Sequence, residues 1–314
     1  MAVRALIVDP SVRAGVRLAE VPDPVARPGE LLLDVHHASL NHGDLNDARS
    51  GRVPPGAVLG SDASGVVAST ASDGRGPALG TRVVALAPGA FSERVAVEAG
   101  AVAVVPGSLD LAHAAALPVA GLAALRALRR AGPILGKRVL VTGAAGGVGR
   151  FAVQLAASGG AYVIASVGTT ARGAGLADAG ADQVVVGLAG IEQPVDVVVD
   201  NVGGAQLVAA WKLLAPGGNL QSVGWASGEP AVFPPYSTIG PAKSLAAFLN
   251  EGEAGPDLTT LVRFLAEGIL GVEVGWRGPW ELVADAAEAL RARRVTGKAI
   301  LDVRPAPPPP AARA

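Results

Sequence analysis

With 314 residues, the chain is long enough for two domains, each with a full-sized core. A formal net charge of −1 offers no broad basic field for nucleic acid or an anionic membrane surface. The chain has no cysteine, which excludes disulfides, thiol nucleophiles and thiolate metal sites together.

The first hundred residues read as β-rich. Short apolar runs at 4–8, 16–21, 30–37, 65–69, 82–86 and 94–97 are punctuated by Gly, Pro and Asp turns, the texture of a barrel or sandwich. The start, MAVRALIVDP, goes directly into a strand pattern without a signal-peptide core, and no apolar run is long enough to span a membrane. A cytoplasmic protein is expected. Around Asp110 the pattern becomes helical over 111–117 and 121–130, with Asp110 as N-cap and Gly132-Pro133 as the stop.

From Lys137 the chain alternates strand and helix. Strands are predicted at 138–142, 162–167, 183–186, 195–200 and 219–223, with helices at 148–158, 172–178 and 205–214. The strands are unbroken Val, Leu and Ile runs, as in a parallel sheet covered on both faces. This is a doubly wound α/β domain. After about residue 250, helices at 258–267 and 280–291 and a strand at 298–303 are too few for another domain, so this segment is expected to return to the first one. The tail, 305–314, is Pro-rich and is expected to be disordered.

The most informative stretch is RVLVTGAAGGVGRFAVQL at 138–155. A strand enters a turn containing Gly143, Gly146, Gly147 and Gly149, and the turn opens into a helix. Small residues let the backbone approach a pyrophosphate, and a helix N-terminus presents N–H groups and partial positive charge. Cofactor choice is read at the end of the next strand. An NAD-binding chain usually places an acid there for the ribose 2′-hydroxyl. Here Ser166, Thr169 and Arg172 follow, and no acid occurs before Asp178. Hydroxyls and a guanidinium accept a 2′-phosphate, so NADPH is the expected cofactor.

The segments SLNHGDLN (39–46), VLGSDASGVV (58–67), ALPVAGLAALRAL (116–128), VTGAAGGVGRFAVQLA (141–156), VDNVGG (199–204) and RRVTGKAIL (293–301) together resemble the medium-chain dehydrogenase/reductase superfamily, and within it the zinc-free quinone oxidoreductase branch. The resemblance implies an α/β Rossmann doubly wound parallel sheet inserted in a β-rich GroES-like catalytic domain. It places the catalytic domain at 1–117 plus 251–304 and the NADPH-binding domain at 118–250, with a homodimer expected. Zinc-dependent members hold their metal with Cys, His and Cys and carry Gly-His-Glu where this chain has Gly60-Ser61-Asp62. The four histidines, His36, His37, His42 and His113, do not rebuild such a site by their spacing, since His36 and His37 point to opposite faces of a strand.

Residue by residue, the resemblance implies that Gly146, Gly147 and Val148 line the pyrophosphate turn, with Gly143 and Gly149 shaping it. It puts Ser166, Thr169 and Arg172 around the 2′-phosphate. Asn201, Gly203, Gly224 and Trp225 border the path to the nicotinamide, and Phe248 and Leu249 pack beside it. Asn41 and Asp44 match an N-x-x-D pair at the floor of the substrate cleft, and both residue types also cap turns. His42, placed in a loop, is either a proton donor or simply solvated. Two departures remove polar contacts: Asn46 stands where relatives carry Tyr, and Ala123 where they carry Thr. The implied activity is zinc-independent hydride transfer from NADPH to a quinone or α,β-unsaturated carbonyl, with a place in specialised metabolism. The alternatives are a non-redox tailoring step on the same fold, or an NADPH-binding protein without turnover. Nucleic-acid and membrane partners are not expected.

Overall fold

Alternating burial along the N-terminal strands of the computed structural model, which describes residues 2–304, shows how the first unit builds its core. The tail at 305–314 lies outside those residues. Strands β1 (Ala2–Val8) and β2 (Val16–Pro22) form an antiparallel pair. The long β3 (Glu30–Leu40) buries Leu31, Leu33 and Val35 on one face, and the residues between them are half-buried. Helix α1 (His42–Ser50) follows, then β4 (Asp62–Ser69), β5 (Arg82–Leu86), β6 (Arg94–Glu98) and β7 (Val102–Val104). The short α2 (Leu111–Ala114) begins as expected, with the Asp110 carboxylate accepting from the Ala112 N–H at 2.9 Å.

The second unit opens with α3 (Pro118–Arg130), which Gly132 ends at φ 89°. Strands β8 (Arg138–Val141), β9 (Tyr162–Val167), β10 (Gln183–Val186), β11 (Val195–Asp200), β12 (Leu214–Ser222) and β13 (Ser244–Ala247) form one parallel sheet. Their order is β10-β9-β8-β11-β12-β13. Helices α4 (Gly147–Ser158), α5 (Gly204–Leu213) and α6 (Gly255–Ala266) complete this unit. Leu140, Ile164, Val198 and Leu220 sit fully buried in the middle of the sheet.

Two expectations need correction here. The helix predicted at 172–178 is only a single 3-10 turn at Thr170–Gly173, because Gly173 and Gly175 weaken a helix and Gly175 adopts φ 70°. Tyr162 opens the otherwise buried β9 with its side chain exposed, under the Arg138 guanidinium 4.5 Å from the ring centroid. The fifth strand starts at Leu214, five residues early, and takes a bulge through Pro216-Gly217-Gly218 that shifts its register on β11.

The chain then returns through β14 (Val274–Pro279), α7 (Val283–Arg291) and β15 (Lys298–Asp302). Residues 299–302 pair antiparallel with 37–40 of β3, closing a seven-stranded sheet in which β6 also pairs with β3. The returning segment does rejoin the first sheet, but the units divide elsewhere than the composition change implied. Unit one holds residues 1–118, 276–294 and the chain from 299, and unit two holds 119–275 and 295–298. Residues 251–275 group with the parallel sheet because α3 and α4 hold them through side-chain hydrogen bonds, including Arg126 to Asp257 and Gln154 to Gly271.

Candidate active site

In the parallel sheet the chain runs outward from β8 to β10, then crosses back to β11 and runs outward on the other side. In open sheets of this kind, ligands bind at the carboxyl ends of the two strands flanking such a reversal. The glycine turn lies there. Gly143 takes φ 60°, and the Gly146 N–H closes the turn on the Gly143 carbonyl at 3.0 Å. No side chain caps the start of α4, because its N-cap residue is Gly146. Gly146, Gly147 and Val148 are half-accessible, whereas Ala144, Ala145 and Gly149 are buried. A Cβ at Gly149 would run into the Gly143 carbonyl and come within 2.6 Å of Ala144 Cα. The predicted roles therefore separate: Gly149 allows helix and turn to pack, and 146–148 present the accessible helix start.

At the neighbouring strand end, Gly168 and Thr169 are exposed and Arg172 is half-buried. Arg172 Nη2 donates to the Val295 carbonyl at 3.2 Å. No carboxylate stands between Val167 and Arg172. Ser166 departs from its expected place beside them. It is fully buried, and its Oγ donates to the Gly187 carbonyl at 2.6 Å and accepts from Gln206 Nε2 at 2.9 Å. It still belongs to β9, buried on both faces over 163–167, and the exposed loop begins only at Gly168.

Beyond β11, Asp200 organises the next turn. Its carboxylate accepts from Thr142 Oγ1 at 2.6 Å and from the Gly203 N–H at 2.8 Å. Burial pushes this carboxyl above its ordinary range, against those hydrogen bonds. Thr142 also receives the Asn201 N–H at 3.0 Å, and its carbonyl takes Asn201 Nδ2 at 2.8 Å. Asn201 Oδ1 is then a buried acceptor without a partner among the described residues. Such an oxygen suits a donor from outside the chain. Gly203, at φ 71°, is covered by the Trp225 ring, whose Cδ2 would lie 2.6 Å from a Cβ. Gly224 packs likewise on Asn201. The structure thus brings Asn201, Gly203, Gly224 and Trp225 together. Trp225 is 46% exposed. Phe248 and Leu249 follow β13, at the same carboxyl edge of the sheet, with Phe248 under the Arg130 guanidinium at 5.0 Å and Leu249 exposed.

Three residues here are not among those the sequence pattern singles out. Thr142 and Asp200 are polar residues at the ends of apolar strands, a legible signal. Lys298 is different: it lies far along the chain, buried, with its side chain across Gly147, where a Cβ would sit 2.7 Å from Lys298 Cδ. The adjoining Gly297 N–H donates to the Ala145 carbonyl at 2.9 Å. Only the folded chain carries it to the glycine turn.

In the first unit, Asn41 and Asp44 sit at the start of a helix, where a loop is expected from local pattern. Asn41 is the N-cap, and the Asp44 carboxylate reaches back to accept the Asn41 N–H at 2.8 Å. Asp44 Oδ1 also accepts from Ser61 Oγ at 3.2 Å, and Asn41 Nδ2 donates to Asp62 Oδ2 at 3.0 Å. Asp44 and Asp62 are buried. His42, expected in a loop, is instead the first residue of α1 and exposed. A cavity of about 320 Å³ is bordered by Asp44, Asp47, Gly60 and Ser61 among apolar residues including Val58 and Leu59.

Comparison with known proteins agrees with this architecture. Residues 27–107 match the alcohol dehydrogenase GroES-like domain, and residues 173–301 match the zinc-binding dehydrogenase family. Prostaglandin reductase-3 of Bos taurus is 32% identical, over 94% of this chain and 87% of its own. The solved quinone oxidoreductase of Coxiella burnetii is 27% identical with a TM-score of 0.86, covering 97% of this chain and 100% of that one. A mycobacterial protein solved in complex with NADPH is 28% identical with a TM-score of 0.85, covering 95% and 99%.

One family description mentions zinc, and the donor set here does not fit that metal. The chain has no cysteine, and no group of three or more His, Asp or Glu among the described residues is placed to hold a metal ion. The nicotinamide cofactor fits better, with an accessible helix start and an unpartnered acceptor at the switch point. On the strength of its prostaglandin reductase relative and both domain matches, the chain belongs to the medium-chain dehydrogenase/reductase superfamily, as an oxidoreductase with a nicotinamide cofactor.

Proposed function

We propose that this chain transfers hydride from NADPH to a quinone or an α,β-unsaturated carbonyl without a zinc ion. The observation that carries the reading is the loop after β9, which offers exposed Thr169 and half-buried Arg172 with no carboxylate to repel a 2′-phosphate. When bound, NADPH supplies a hydride from its nicotinamide C4. The amides of Gly146, Gly147 and Val148 and the positive end of α4 hold the pyrophosphate. Thr169 and Arg172 hold the 2′-phosphate, and Asn201 Oδ1 accepts a hydrogen bond further along. Trp225, Phe248 and Leu249 shield the nicotinamide from water, which raises the worth of every charge interaction there.

An acceptor whose developing negative charge is delocalised needs no Lewis acid on its oxygen, which suits a chain without a zinc donor set. The cavity beside Asp44, mostly apolar in its lining, supports an acceptor of that character. An enone would take the hydride at its β-carbon with the electron pair passing to its oxygen, the cofactor would be left oxidised, and water would supply the proton that completes the reduced product. The relatives named as a quinone oxidoreductase and a prostaglandin reductase support the same class.

A homodimer through β13 belongs to this reading. That strand is the outer strand of the parallel sheet, with Ser244, Leu245 and Ala247 exposed and one row of backbone groups unpaired. The test of the activity is loss of NADPH absorbance with a panel of quinones and enones, with NADH in parallel. The expected outcome is consumption with several acceptors and a clear preference for NADPH. Arg172→Ala should raise the KM for NADPH about tenfold or more, equivalent to one charge-assisted hydrogen bond of about 1.5–3 kcal/mol. It should leave the KM for NADH unchanged. Equal use of both cofactors by the parent protein would overturn the 2′-phosphate assignment.

A further inference from the structure

The segment carrying Phe248 and Leu249 leaves β13 at Ala247 and has no regular structure until α6 begins at Gly255. A chain stretch of this kind is free to wander unless its backbone groups are held. Here they are held by a side chain from another element. Arg126, in the last turns of α3, is buried, and its guanidinium is spent almost wholly on this stretch. Nη1 donates to Asn250 Oδ1 at 2.9 Å and to the Glu251 carbonyl at 3.0 Å, and Nη2 donates to the Glu253 carbonyl at 2.7 Å. Nε donates to Asp257 Oδ2 at 2.7 Å. Its neighbours on α3 reinforce the hold. Arg129 pairs with the other oxygen of Asp257, and Arg130 covers the Phe248 ring.

A buried guanidinium is costly unless each face is paired, and one fork meeting two carbonyls, an amide oxygen and a carboxylate defines a single geometry for them. The backbone of β13 pairs with β12, so the guanidinium serves the connection beyond it and the first turn of α6 rather than the strand itself. The four acceptors lie within 250–257, and the fixed stretch begins directly after Phe248 and Leu249.

We propose that Arg126 is a positioning residue that sets the 248–253 segment and, through Phe248 and Leu249, the seat of the nicotinamide ring. This rests on the reading that those two side chains border the nicotinamide. It adds that their placement is decided on α3, by a residue that touches neither cofactor nor acceptor. Arg126 acts on the nicotinamide end alone, so the adenosine end should be indifferent to it.

The test compares the parent protein with Arg126→Met, Arg126→Lys and Asn250→Ala. Binding of adenosine 2′,5′-bisphosphate, which lacks the nicotinamide half, is measured by calorimetry. Hydrogen exchange of residues 244–254 is followed with and without NADPH, and kcat and KM are measured with a quinone. For Arg126→Met we expect adenosine 2′,5′-bisphosphate affinity within twofold of the parent, loss of the NADPH-induced protection of 248–250, and kcat lowered about tenfold. Arg126→Lys should restore part of that protection, and Asn250→Ala should move exchange and kcat the same way by less. The inference is overturned if protection by NADPH survives in Arg126→Met, or if affinity for the bisphosphate falls in step with kcat, which marks general destabilisation. If the parent consumes NADPH with no acceptor, the hydride-transfer reading fails, and exchange with calorimetry still decides the role of Arg126.

Discussion

Gly149 has no room for a side chain, and Gly168 has nothing around it. The contrast separates what glycines do at the ends of neighbouring strands of the parallel sheet. At Gly149, a methyl group meets the Gly143 carbonyl and Ala144 Cα, both backbone atoms that cannot swing aside. Gly149→Ala is therefore expected to displace the turn, costing about 1–3 kcal/mol of stability and most of the NADPH affinity. At Gly168, no atom lies within 4 Å of where a methyl carbon would sit, and φ is not in the left-handed region. Gly168→Ala should leave stability within about 0.5 kcal/mol. Thermal unfolding and calorimetry with NADPH check both, and equal losses in the two variants would refute the division. The same scale explains Asp200. Its carboxylate accepts from Thr142 and from the Val202 and Gly203 amides, and Thr142 in turn holds the Asn201 amides, leaving Asn201 with an acceptor oxygen to offer.

At the scale of elements, the pairing of β15 with β3 carries an ionisable contact. Asp302 stands opposite His37 in register, and His37 Nδ1 meets Asp302 Oδ1 at 2.8 Å. Arg277 also donates to Asp302, at 3.1 Å, and approaches Asp110. Burial pulls His37 below its ordinary value of 6.5, and the Asp302 carboxylate opposes that pull without overcoming it. A depressed histidine is neutral in the folded chain at pH values where the unfolded chain is already protonated. Its contribution to stability is complete above 6.5 and is lost as pH falls from there through the folded value. His36, also lowered by burial, adds to the same slope. We expect the unfolding temperature to drop between about pH 7.5 and about pH 5, and His37→Gln to make the drop shallower. A variant with an unchanged slope would show that His37 does not carry it.

For the whole molecule, the proposed dimer is the consequence of an edge. Leu245 is 43% exposed on an outer strand, a combination that proteins otherwise blunt with charge or cover. Leu245→Lys places a charge on that edge, and size-exclusion chromatography with light scattering is expected to show a monomer where the parent is a dimer. A parent protein already monomeric at micromolar concentration would remove this proposal. Among the described residues no helix is long and apolar enough to cross a membrane.

Local pattern is enough to place the glycine turn, the first five strands of the parallel sheet and the Asp110 cap, because each is written in adjacent residues. Periodicity, strand propensity and glycine conformation act over a few positions. The outer strand at 244–247 escapes such reading because Ser-Leu-Ala-Ala has weak strand propensity and is held by its neighbour β12. Helix α1 escapes it because its apolar face is narrow and its start depends on Asp44 folding back onto Asn41. Ser166 is buried and hydrogen-bonded to Gly187 and Gln206, partners that only the folded chain brings to it.

What neighbouring residues determine is the kind of molecule: a βα glycine turn binds a dinucleotide through backbone groups that any such turn exposes. What only the tertiary structure decides is which distant residues reach that turn. Lys298 lies across Gly147 because β15 starts beside the glycine turn, and Arg126 grips 250–257 because a buried charge must find partners, which packing rather than sequence order brings close.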